Sequence, residues 1–291
     1  MVQRRGCLLG LASAALSGCA FDVDTDHVGP DAPSAAALPR VPRTAWVLGS
    51  GGPRGFVHVG VLKGLDELGL KPDLVVGASI GALVGTLWAA GLSALRIEAL
   101  ALDLQPWTLA RLAPGAAERL SGAALRDWVA DLLPQRQLPR LPVPAACVAR
   151  RQSDREPVAF TQGDAPLAVQ ASTAIEGRFT PVRIRGERFG DADNRLPLPV
   201  RAARALGATH VLAVDASAHE DRAPPGSERW RESDRRKREL TRPDAALADL
   251  LLHPDFGYWV DLGRAFRERA IAAGLQAVHE RAASLRALHA S

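Results

Sequence analysis

Short apolar runs alternate with longer alanine- and leucine-rich stretches through most of this 291-residue chain. The apolar runs have the length and composition of buried strands, and they lie at residues 45–49, 74–77, 145–150, 157–161, 182–189 and 210–215. Strand patterns that alternate with helical patterns are typical of a mostly parallel sheet with helices on both faces. The sequence therefore predicts an α/β fold.

Helical periodicity fills the intervals between these runs. The predicted helices cover residues 56–68, 80–90, 166–175, 198–206, 244–252 and 259–288, and a further helical region over residues 92–133 has breaks near Pro106 and Pro114. Residues 228–239 are dense in charge and predict a solvated helix or loop, with contact to anionic headgroups as the alternative. The last helix carries apolar residues at helical spacing, which predicts core packing, with a membrane-facing surface as the alternative.

The pentapeptide GASIG at residues 77–81 directly follows a predicted strand and opens a predicted helix. This order is typical of a nucleophile elbow, GxSxG, in which a sharp turn presents a serine at the carboxyl end of a strand. Gly77 and Gly81 fit this interpretation because larger side chains would clash in so tight a turn. Ser79 is therefore the candidate nucleophile of a serine hydrolase, and a small-residue turn that contains serine by chance is the alternative.

A glycine-rich loop lies upstream, where Gly51, Gly52, Arg54 and Gly55 follow the first predicted strand and precede a helix. Backbone N–H groups at such a place bind anions, and in acyl transfer that anion is the oxyanion of the tetrahedral intermediate. Pro53 has no N–H to contribute. The Arg54 side chain fits either attraction of a lipid phosphate or a role in fixing the loop. A dinucleotide-binding turn is disfavoured because the last glycine of GxGxxG is missing.

In these blocks the chain resembles the patatin-like phospholipases. The resemblance rests on the glycine-rich loop, GASIG at 77–81, HVGVL at 58–62, ASTAI at 171–175, FTPV at 179–182 and the segment 191–200, and it covers roughly residues 43–217. It implies a three-layer α/β/α sandwich and hydrolysis of acyl esters of lipids, such as phospholipids, without a cofactor. It also implies a catalytic dyad of Ser79 and Asp191 that uses no histidine.

Three positions depart from the family's pattern. Ser50 stands where the family usually has glycine, and Glu176 stands where it usually has proline. Ala192 follows Asp191 where glycine is usual, and a positive φ at Ala192 would be strained. These departures keep open a catalytically weak or inactive patatin fold that acts as a binding scaffold on the cell surface.

Two further questions concern the partner of the serine. A Ser–Asp–His triad needs a histidine after the acid, and only His219 and His253 stand at plausible places, neither within a supporting motif. Asp193 competes with Asp191 for the role of general base. The register of LPV at residues 198–200, which the resemblance provides, selects Asp191.

The N-terminus carries a separate signal. Two arginines precede the apolar residues 7–16, which are too few to span a bilayer comfortably, and the stretch ends in LSGC at 16–19. This order matches a bacterial lipoprotein signal peptide over residues 1–18, with Cys19 acylated. An ordinary secretory signal or an uncleaved anchor is the alternative. The resemblance to a lipoprotein signal implies sorting to the outer membrane, because Ala20 and not aspartate follows the cysteine, so we expect a lipid-anchored protein of the bacterial cell envelope that faces the periplasm.

Composition sets the remaining expectations. Residues 19–42 are polar and contain prolines, which predicts a flexible tether to a hydrolase domain over residues 43–291. The 36 basic and 32 acidic residues give a net charge of +4, which gives no reason to expect a nucleic-acid partner. Cys147 is expected to be buried in a strand, and no Cys/His cluster has metal-ligand spacing. The oligomeric state stays open.

Overall fold

A computed structural model describes residues 25–290 of the chain. Within these residues the strands are β1 Asp26–His27, β2 Thr44–Leu48, β3 Leu74–Ala78, β4 Arg111–Leu112, β5 Leu120–Ser121, β6 Ala145–Arg151, β7 Pro157–Phe160, β8 Val182–Ile184, β9 Glu187–Asp191, β10 His210–Val214 and β11 Leu250–Leu252. The helices are α1 Phe56–Glu67, α2 Ile80–Ala89, α3 Ala94–Asp103, α4 Ala123–Leu132, α5 Ala165–Ser172, α6 Val200–Ala205, α7 Glu228–Ala245, α8 Arg264–Glu280 and α9 Ala282–Ala290.

Most of the strands join one sheet, in the order β1-β8-β9-β6-β3-β2-β10-β11, with β7 against β6. Neighbours from β6 through β3, β2 and β10 to β11 are parallel. Strands β7 and β9 pair antiparallel with β6, and β8 pairs antiparallel with β9. Strands β4 and β5 form a separate antiparallel pair. The central sheet is mostly parallel, as predicted.

Successive side chains of a strand point to opposite faces of a sheet, and the buried strands here are apolar on both faces. Helices therefore cover both faces. In β2, Trp46 and Leu48 pack into the larger core, which also contains residues of α1, α2 and α8. Ala45 and Val47 face the other way, into a smaller core that also contains residues of α6. Cys147 is buried in β6, as predicted, and burial raises the pKa of its thiol to about 12. The three-layer α/β/α sandwich is confirmed.

Three predicted elements differ from the structure. The helix predicted over 244–252 is wrong, because α7 ends at Ala245 and residues 250–252 extend the sheet as β11. The helix predicted over 259–288 begins only at Arg264 and is divided into α8 and α9. The strand predicted over 182–189 is a hairpin of β8 and β9, which turns at Arg185 and Gly186 with φ of 51° and 80°.

The segment before β2 also differs from its prediction. The proposed signal peptide over 1–18 and Cys19 lie outside the described residues. From residue 26 onward the chain is bound to the domain: β1 pairs with β8, and the N–H of Ser34 donates to the carbonyl oxygen of Gln162 at 3.2 Å. A flexible tether is therefore the wrong description for residues 26–36, because their backbone groups hydrogen-bond to the domain.

Candidate active site

Ser79 lies in the turn between β3 and α2, with φ of 54° and ψ of −123°. Residues that carry a side chain seldom adopt this conformation, and it persists where the surroundings enforce it. A Cβ on Gly81 would lie 2.1 Å from the carbonyl oxygen of Leu48, and one on Gly77 would lie 2.5 Å from the backbone N of Ala82. Both glycines are therefore required for α2 to pack this closely, and this packing holds Ser79 in its strained conformation.

The side chain of Asp191 lies within hydrogen-bond distance of Ser79, although the two positions are 112 apart in the sequence. The hydroxyl Oγ of Ser79 donates to Oδ2 of Asp191 at 2.6 Å. Asp191 ends β9, which pairs with β6, and β6 pairs with β3, the strand that leads into Ser79. Both side chains are buried. The sheet order thus brings together the two residues of the predicted dyad.

The surroundings of Asp191 change its protonation. Burial raises the pKa of its carboxyl group to about 7, and the negative charge of Asp193 acts in the same direction. Hydrogen bonds from Ser79 Oγ and from the N–H of Asp193, together with the charge of Lys237, oppose this rise. A group that titrates near neutral pH is suited to accepting a hydroxyl proton and returning it.

Ser172 supports the elbow, and sequence reasoning assigned it no role. Its Oγ accepts a hydrogen bond from the N–H of Ser79 at 2.9 Å and donates to the carbonyl oxygen of Val148 at 2.6 Å. The side chain therefore ties the backbone of the elbow to β6. Its place inside the block ASTAI at 171–175 was a usable signal, because that block belongs to the family resemblance.

The glycine-rich loop lies against the start of α2. A Cβ on Gly55 would lie 2.2 Å from the side chain of Ile80, the residue after Ser79, so Gly55 serves close packing. Within residues 25–290, neither Gly51 nor Gly52 donates a backbone hydrogen bond, whereas the N–H of Arg54 donates to the carbonyl oxygen of Gly51 at 3.1 Å. Because the N–H of Arg54 already has an acceptor, Gly51 and Gly52 are better able than Arg54 to supply the predicted oxyanion donors, and this role stays a prediction.

The side chain of Arg54 fixes the loop, which was one of its two predicted roles. Its guanidinium donates to the carbonyl oxygens of Gly257 and Tyr258, and its carbon Cζ lies 5.7 Å from the ring centre of Phe256. Burial lowers the pKa of this group, and Asp234 counteracts that effect. The contacts join the glycine-rich loop to the segment between β11 and α8.

The histidines lie in other environments. The rings of His219 and His253 stack with their centres 3.7 Å apart, and Nε2 of His253 lies 3.1 Å from the carbonyl oxygen of Ser217. Neither forms a hydrogen bond with Asp191 in the described structure, and the hydroxyl of Ser79 donates directly to the carboxylate. Ser79 and Asp191 thus form a hydrogen-bonded pair, and neither His219 nor His253 joins it as the alternative triad would require.

His58 is fully buried beneath the glycine-rich loop. Its Nε2 lies 2.7 Å from the carbonyl oxygen of Gly49. Burial lowers the pKa of the imidazole to about 4, so the ring is neutral at physiological pH and its Nε2–H donates to this oxygen. His58 therefore supports the start of the loop.

The structure accommodates the three residues that depart from the family pattern. Two of them, Ser50 and Glu176, form hydrogen bonds, and Ala192 is free of backbone strain. The Ser50 hydroxyl donates to Asp193, whose Oδ1 also accepts from Nζ of Lys237 at 2.6 Å. The carboxylate of Glu176 accepts from the amide of Asn194 at 2.7 Å. Ala192 is buried and does not have a positive φ, so the strain expected there is absent.

The structure is thus an α/β fold with a buried, hydrogen-bonded pair of Ser79 and Asp191. A family model for patatin-like phospholipase matches residues 46–204, which is more than half of the chain. The chain belongs to the patatin-like phospholipase family, and the resemblance noted in the sequence is confirmed.

Similar proteins include longer ones. An uncharacterized NTE family protein of Mycobacterium tuberculosis is 33% identical over 185 residues, which are 62% of this chain and 50% of that protein. Patatin-like phospholipase domain-containing protein 6 of Homo sapiens is 30% identical over 185 residues, which are 61% of this chain and 14% of that protein. The chain therefore spans about half the length of the mycobacterial relative and less of the human one.

Two solved structures are similar at low sequence identity. VipD from Legionella pneumophila gives a TM-score of 0.48 at 13% identity and covers 91% of this chain and 71% of its own. The type III effector protein ExoU gives a TM-score of 0.46 at 16% identity and covers 87% of this chain and 54% of its own.

Proposed function

We propose that this protein hydrolyses acyl esters of lipids, phospholipids among them, through an acyl-enzyme on Ser79 with Asp191 as the base. The observation that carries the proposal is the buried 2.6 Å hydrogen bond from Ser79 Oγ to Asp191 Oδ2. Membership of the patatin-like phospholipase family supports lipid hydrolysis in general. In this proposal the protein is a carboxylic ester hydrolase.

The proposed reaction has two halves. Ser79 Oγ attacks the ester carbonyl carbon while its proton passes to Asp191 Oδ2, and the oxyanion is held by the N–H groups of Gly51 and Gly52. The intermediate collapses, and Asp191 returns the proton to the leaving alcohol. Water then gives a proton to Asp191 and attacks the acyl-enzyme, and the fatty acid leaves as Ser79 regains its proton. Atoms and charges balance without a cofactor.

A fluorophosphonate probe tests the nucleophile. The probe is expected to form a covalent bond with Ser79, detected as a mass shift of the peptide that carries it, and product analysis with mixed phospholipids should then show free fatty acid. Pretreating the protein with unlabelled probe is the control, because it should block both labelling and product release. An unlabelled, folded protein would favour the binding scaffold instead.

Gly52→Val is expected to lower kcat by about 10²–10³-fold while changing KM little. Gly52 has φ of +53° and no neighbouring atom within 4 Å of an added Cβ. Valine therefore alters the backbone of the loop without creating a clash, and the N–H groups concerned act on charge that exists only in the transition state. The measurement is steady-state hydrolysis of a soluble ester.

Gly69→Val is the matched control, because Gly69 has φ of +68° and an equally empty surround, but follows the end of α1, away from the glycine-rich loop. It should carry a similar conformational cost without the loss of kcat. An unchanged kcat in Gly52→Val would remove the loop from catalysis.

We also propose that acylated Cys19 anchors the protein to the outer membrane on its periplasmic side. The lipoprotein-like order of residues 1–19 supports this. No helix among residues 25–290 is long and apolar enough to cross a membrane. Cys19→Ser should leave the precursor unprocessed or release the chain from the membrane fraction, as measured by fractionation and intact mass. A mature wild-type chain that carries an unmodified Cys19 would contradict the proposal.

A further inference from the structure

The segment between β11 and α8, here called the β11–α8 loop, covers residues 253–263 and is held by side chains from three other elements. Arg54 binds the carbonyl oxygens of Gly257 and Tyr258, and the Tyr258 hydroxyl donates to Asp234 on α7. Arg267 on α8 donates to the carbonyl oxygen of Leu262 at 3.0 and 2.7 Å. The loop is thus fixed in place.

This fixed loop exposes large apolar side chains. Trp259, Val260 and Leu262 are 48%, 44% and 48% exposed. Trp259 packs edge-on against Trp230, with ring centres 5.3 Å apart, and the guanidinium of Arg229 lies 3.7 Å from the Trp230 ring centre. Exposed apolar side chains grouped on a held segment are typical of a surface that another body covers.

Exposed charged residues lie near this patch. Arg229 and Arg231 stand in the first turn of α7, and Arg264 begins α8, where it is paired with Glu268 at 2.8 Å. One exposed carboxylate, Asp261, lies between Val260 and Leu262 in the loop. Tryptophan with aliphatic side chains at the centre and arginine at the rim is the composition that the headgroup region of an anionic bilayer favours, because apolar tips enter the lipid while guanidinium groups stay with phosphates.

The patch lies on the same side of the fold as the dyad. The loop leaves the carboxyl end of β11, and Ser79 follows the carboxyl end of β3, in the parallel part of the sheet. Arg54 joins the loop directly to the glycine-rich loop. We propose that Trp259, Val260, Leu262 and the neighbouring arginines dock on an anionic phospholipid bilayer. This rests on the proposed function only in that docking would bring the dyad to its lipid substrate.

Vesicle co-sedimentation of the full chain tests the docking, with sucrose-loaded vesicles of phosphatidylcholine alone or mixed with phosphatidylglycerol. Val260→Ser/Leu262→Ser should weaken partition by about ten-fold or more, because two apolar side chains no longer enter lipid. Arg229→Gln/Arg231→Gln should reduce the preference for phosphatidylglycerol by about ten-fold, and high salt should do the same to the wild type.

The chain offers a matched control in Val41→Ser/Leu247→Ser. These residues are 79% and 48% exposed. They lie near the amino ends of β10 and β11, whereas the patch and Ser79 lie at the carboxyl ends of the parallel strands. This control should partition within about two-fold of wild type. Residues 1–40 are identical in all these proteins, so their contribution to membrane binding is common to them.

Two results would overturn the docking proposal. One is equal partition of the Val260→Ser/Leu262→Ser and control variants. The other is a wild-type dimer in sedimentation equilibrium that this variant converts to monomer, since a second copy of the chain would then cover the patch. Hydrolysis of a soluble short-chain ester should be unchanged in the variant. A wild type that cannot hydrolyse that ester would count against the proposed function and leave the sedimentation result to decide the docking.

One hydrogen-bonded unit beside the dyad consists of Ser50, Asp193 and Lys237. Asp193 Oδ1 accepts from both the Ser50 hydroxyl and Lys237 Nζ, and the N–H of Asp193 donates to Asp191 Oδ1 at 2.8 Å. Ser50 immediately precedes Gly51 in the glycine-rich loop, and Lys237 lies on α7. The unit therefore links Asp191, the glycine-rich loop and α7.

Charges around Asp191 come from several elements. Asp193 follows it in the chain and Lys237 approaches from α7, while Glu176 is paired with Arg150 on β6 at 3.1 Å. Asp215, after β10, lies 3.7 Å from Arg238. These last two carboxylates face their own arginines. Lys237 is the cation bound to Asp193, whose N–H donates to Asp191.

We infer that Lys237 is a positioning residue that acts through Asp193 to keep Asp191 ionised beside Ser79. Without the ammonium group, the negative charge of Asp193 beside Asp191 would lose the cation that offsets it. The inference rests on the proposed function, in which ionised Asp191 is the base. Ser50, which departs from the family pattern, thus binds the same carboxylate as Lys237, which lies outside the family-matched residues 46–204.

The pH dependence of kcat/KM for a soluble ester tests this inference. Lys237→Met should move the acid limb of the profile to higher pH, and a limb that moves by about one pH unit lowers the rate about ten-fold on that side. Asp193→Asn should move the limb to lower pH, and the double variant should return toward wild type. Lys237→Arg should keep the wild-type limb and serves as the conservative control.

An unmoved limb in Lys237→Met would overturn the inference, as would a double variant that only sums two losses in rate. Thermal unfolding of each variant identifies a folding defect, and Lys237→Arg then decides the question. If no wild-type hydrolysis exists to measure, the proposed function has failed first.

Discussion

Ser79→Ala is expected to abolish ester hydrolysis, with a loss of about 10⁴-fold or more, while thermal unfolding stays nearly unchanged. In the proposed mechanism Ser79 Oγ forms the covalent bond to the acyl group. The adjoining hydroxyl of Ser172 cannot replace it, because that oxygen is bound to the N–H of Ser79 and to the carbonyl oxygen of Val148. Initial rates with a soluble ester and with phospholipid vesicles measure the effect.

A second substitution at the same position separates chemistry from strain. Alanine retains Cβ and with it the strained conformation at φ of 54°, whereas glycine adopts positive φ readily. Ser79→Gly should therefore be equally inactive but melt at a higher temperature, since such strain is worth about 1–3 kcal/mol. Full activity in Ser79→Ala would refute the assignment of the nucleophile.

Local pattern was sufficient where a strand is buried on both faces. The apolar runs predicted at 74–77 and 145–150 differ by one residue from the observed β3 Leu74–Ala78 and β6 Ala145–Arg151. The elbow was also readable, because its glycines, its serine and the flanking strand and helix are all within one short segment. These features depend on neighbours in sequence, which a linear pattern records.

The errors arose where pairing with distant residues decides the structure. Residues 250–252 are three leucines, a run too short to distinguish a helix from a strand, and their pairing with β10 makes them β11. Asp26 and His27 have a polar composition typical of a tether, but they bind β8 through backbone groups, which composition does not report. The apolar spacing after residue 259 suggested helix, and the contacts of Arg54 and Arg267 hold that stretch as a loop.

The site shows the same division. Ser79 was predicted from its own segment, whereas Asp191 depended on the family register, because its contact with Ser79 runs across β6. Lys237 lies in a run with several basic residues, and no pattern within that run distinguishes the one that reaches Asp193. Only the ion pair between Lys237 on α7 and Asp193, which follows β9, selects it.

Asp191→Asn is expected to lower kcat by about 10²–10⁴-fold, and Asp193→Asn is expected to lose far less at neutral and alkaline pH. Asp191 accepts the hydrogen bond from Ser79, whereas Asp193 binds Ser50 and Lys237 and does not reach the serine. An amide at position 191 cannot take the proton. The two variants differ by one nitrogen-for-oxygen change two residues apart, so each is the control for the other, and the reverse pattern would mean that the base has been misassigned.

The same carboxyl group predicts opposite pH effects on rate and stability. Its pKa is raised to about 7, chiefly by burial, so wild-type kcat/KM should fall as pH drops through about 7 and the base becomes protonated. A raised pKa also means that the folded state binds the proton more tightly than the unfolded state. The stability this confers is present below about pH 4 and is lost as pH rises through about 7.

Asp191→Asn, which cannot ionise, should therefore melt at a higher temperature than wild type above pH 7, and this advantage should shrink toward pH 4. Equal melting temperatures across this range would show that the buried charge carries no such cost.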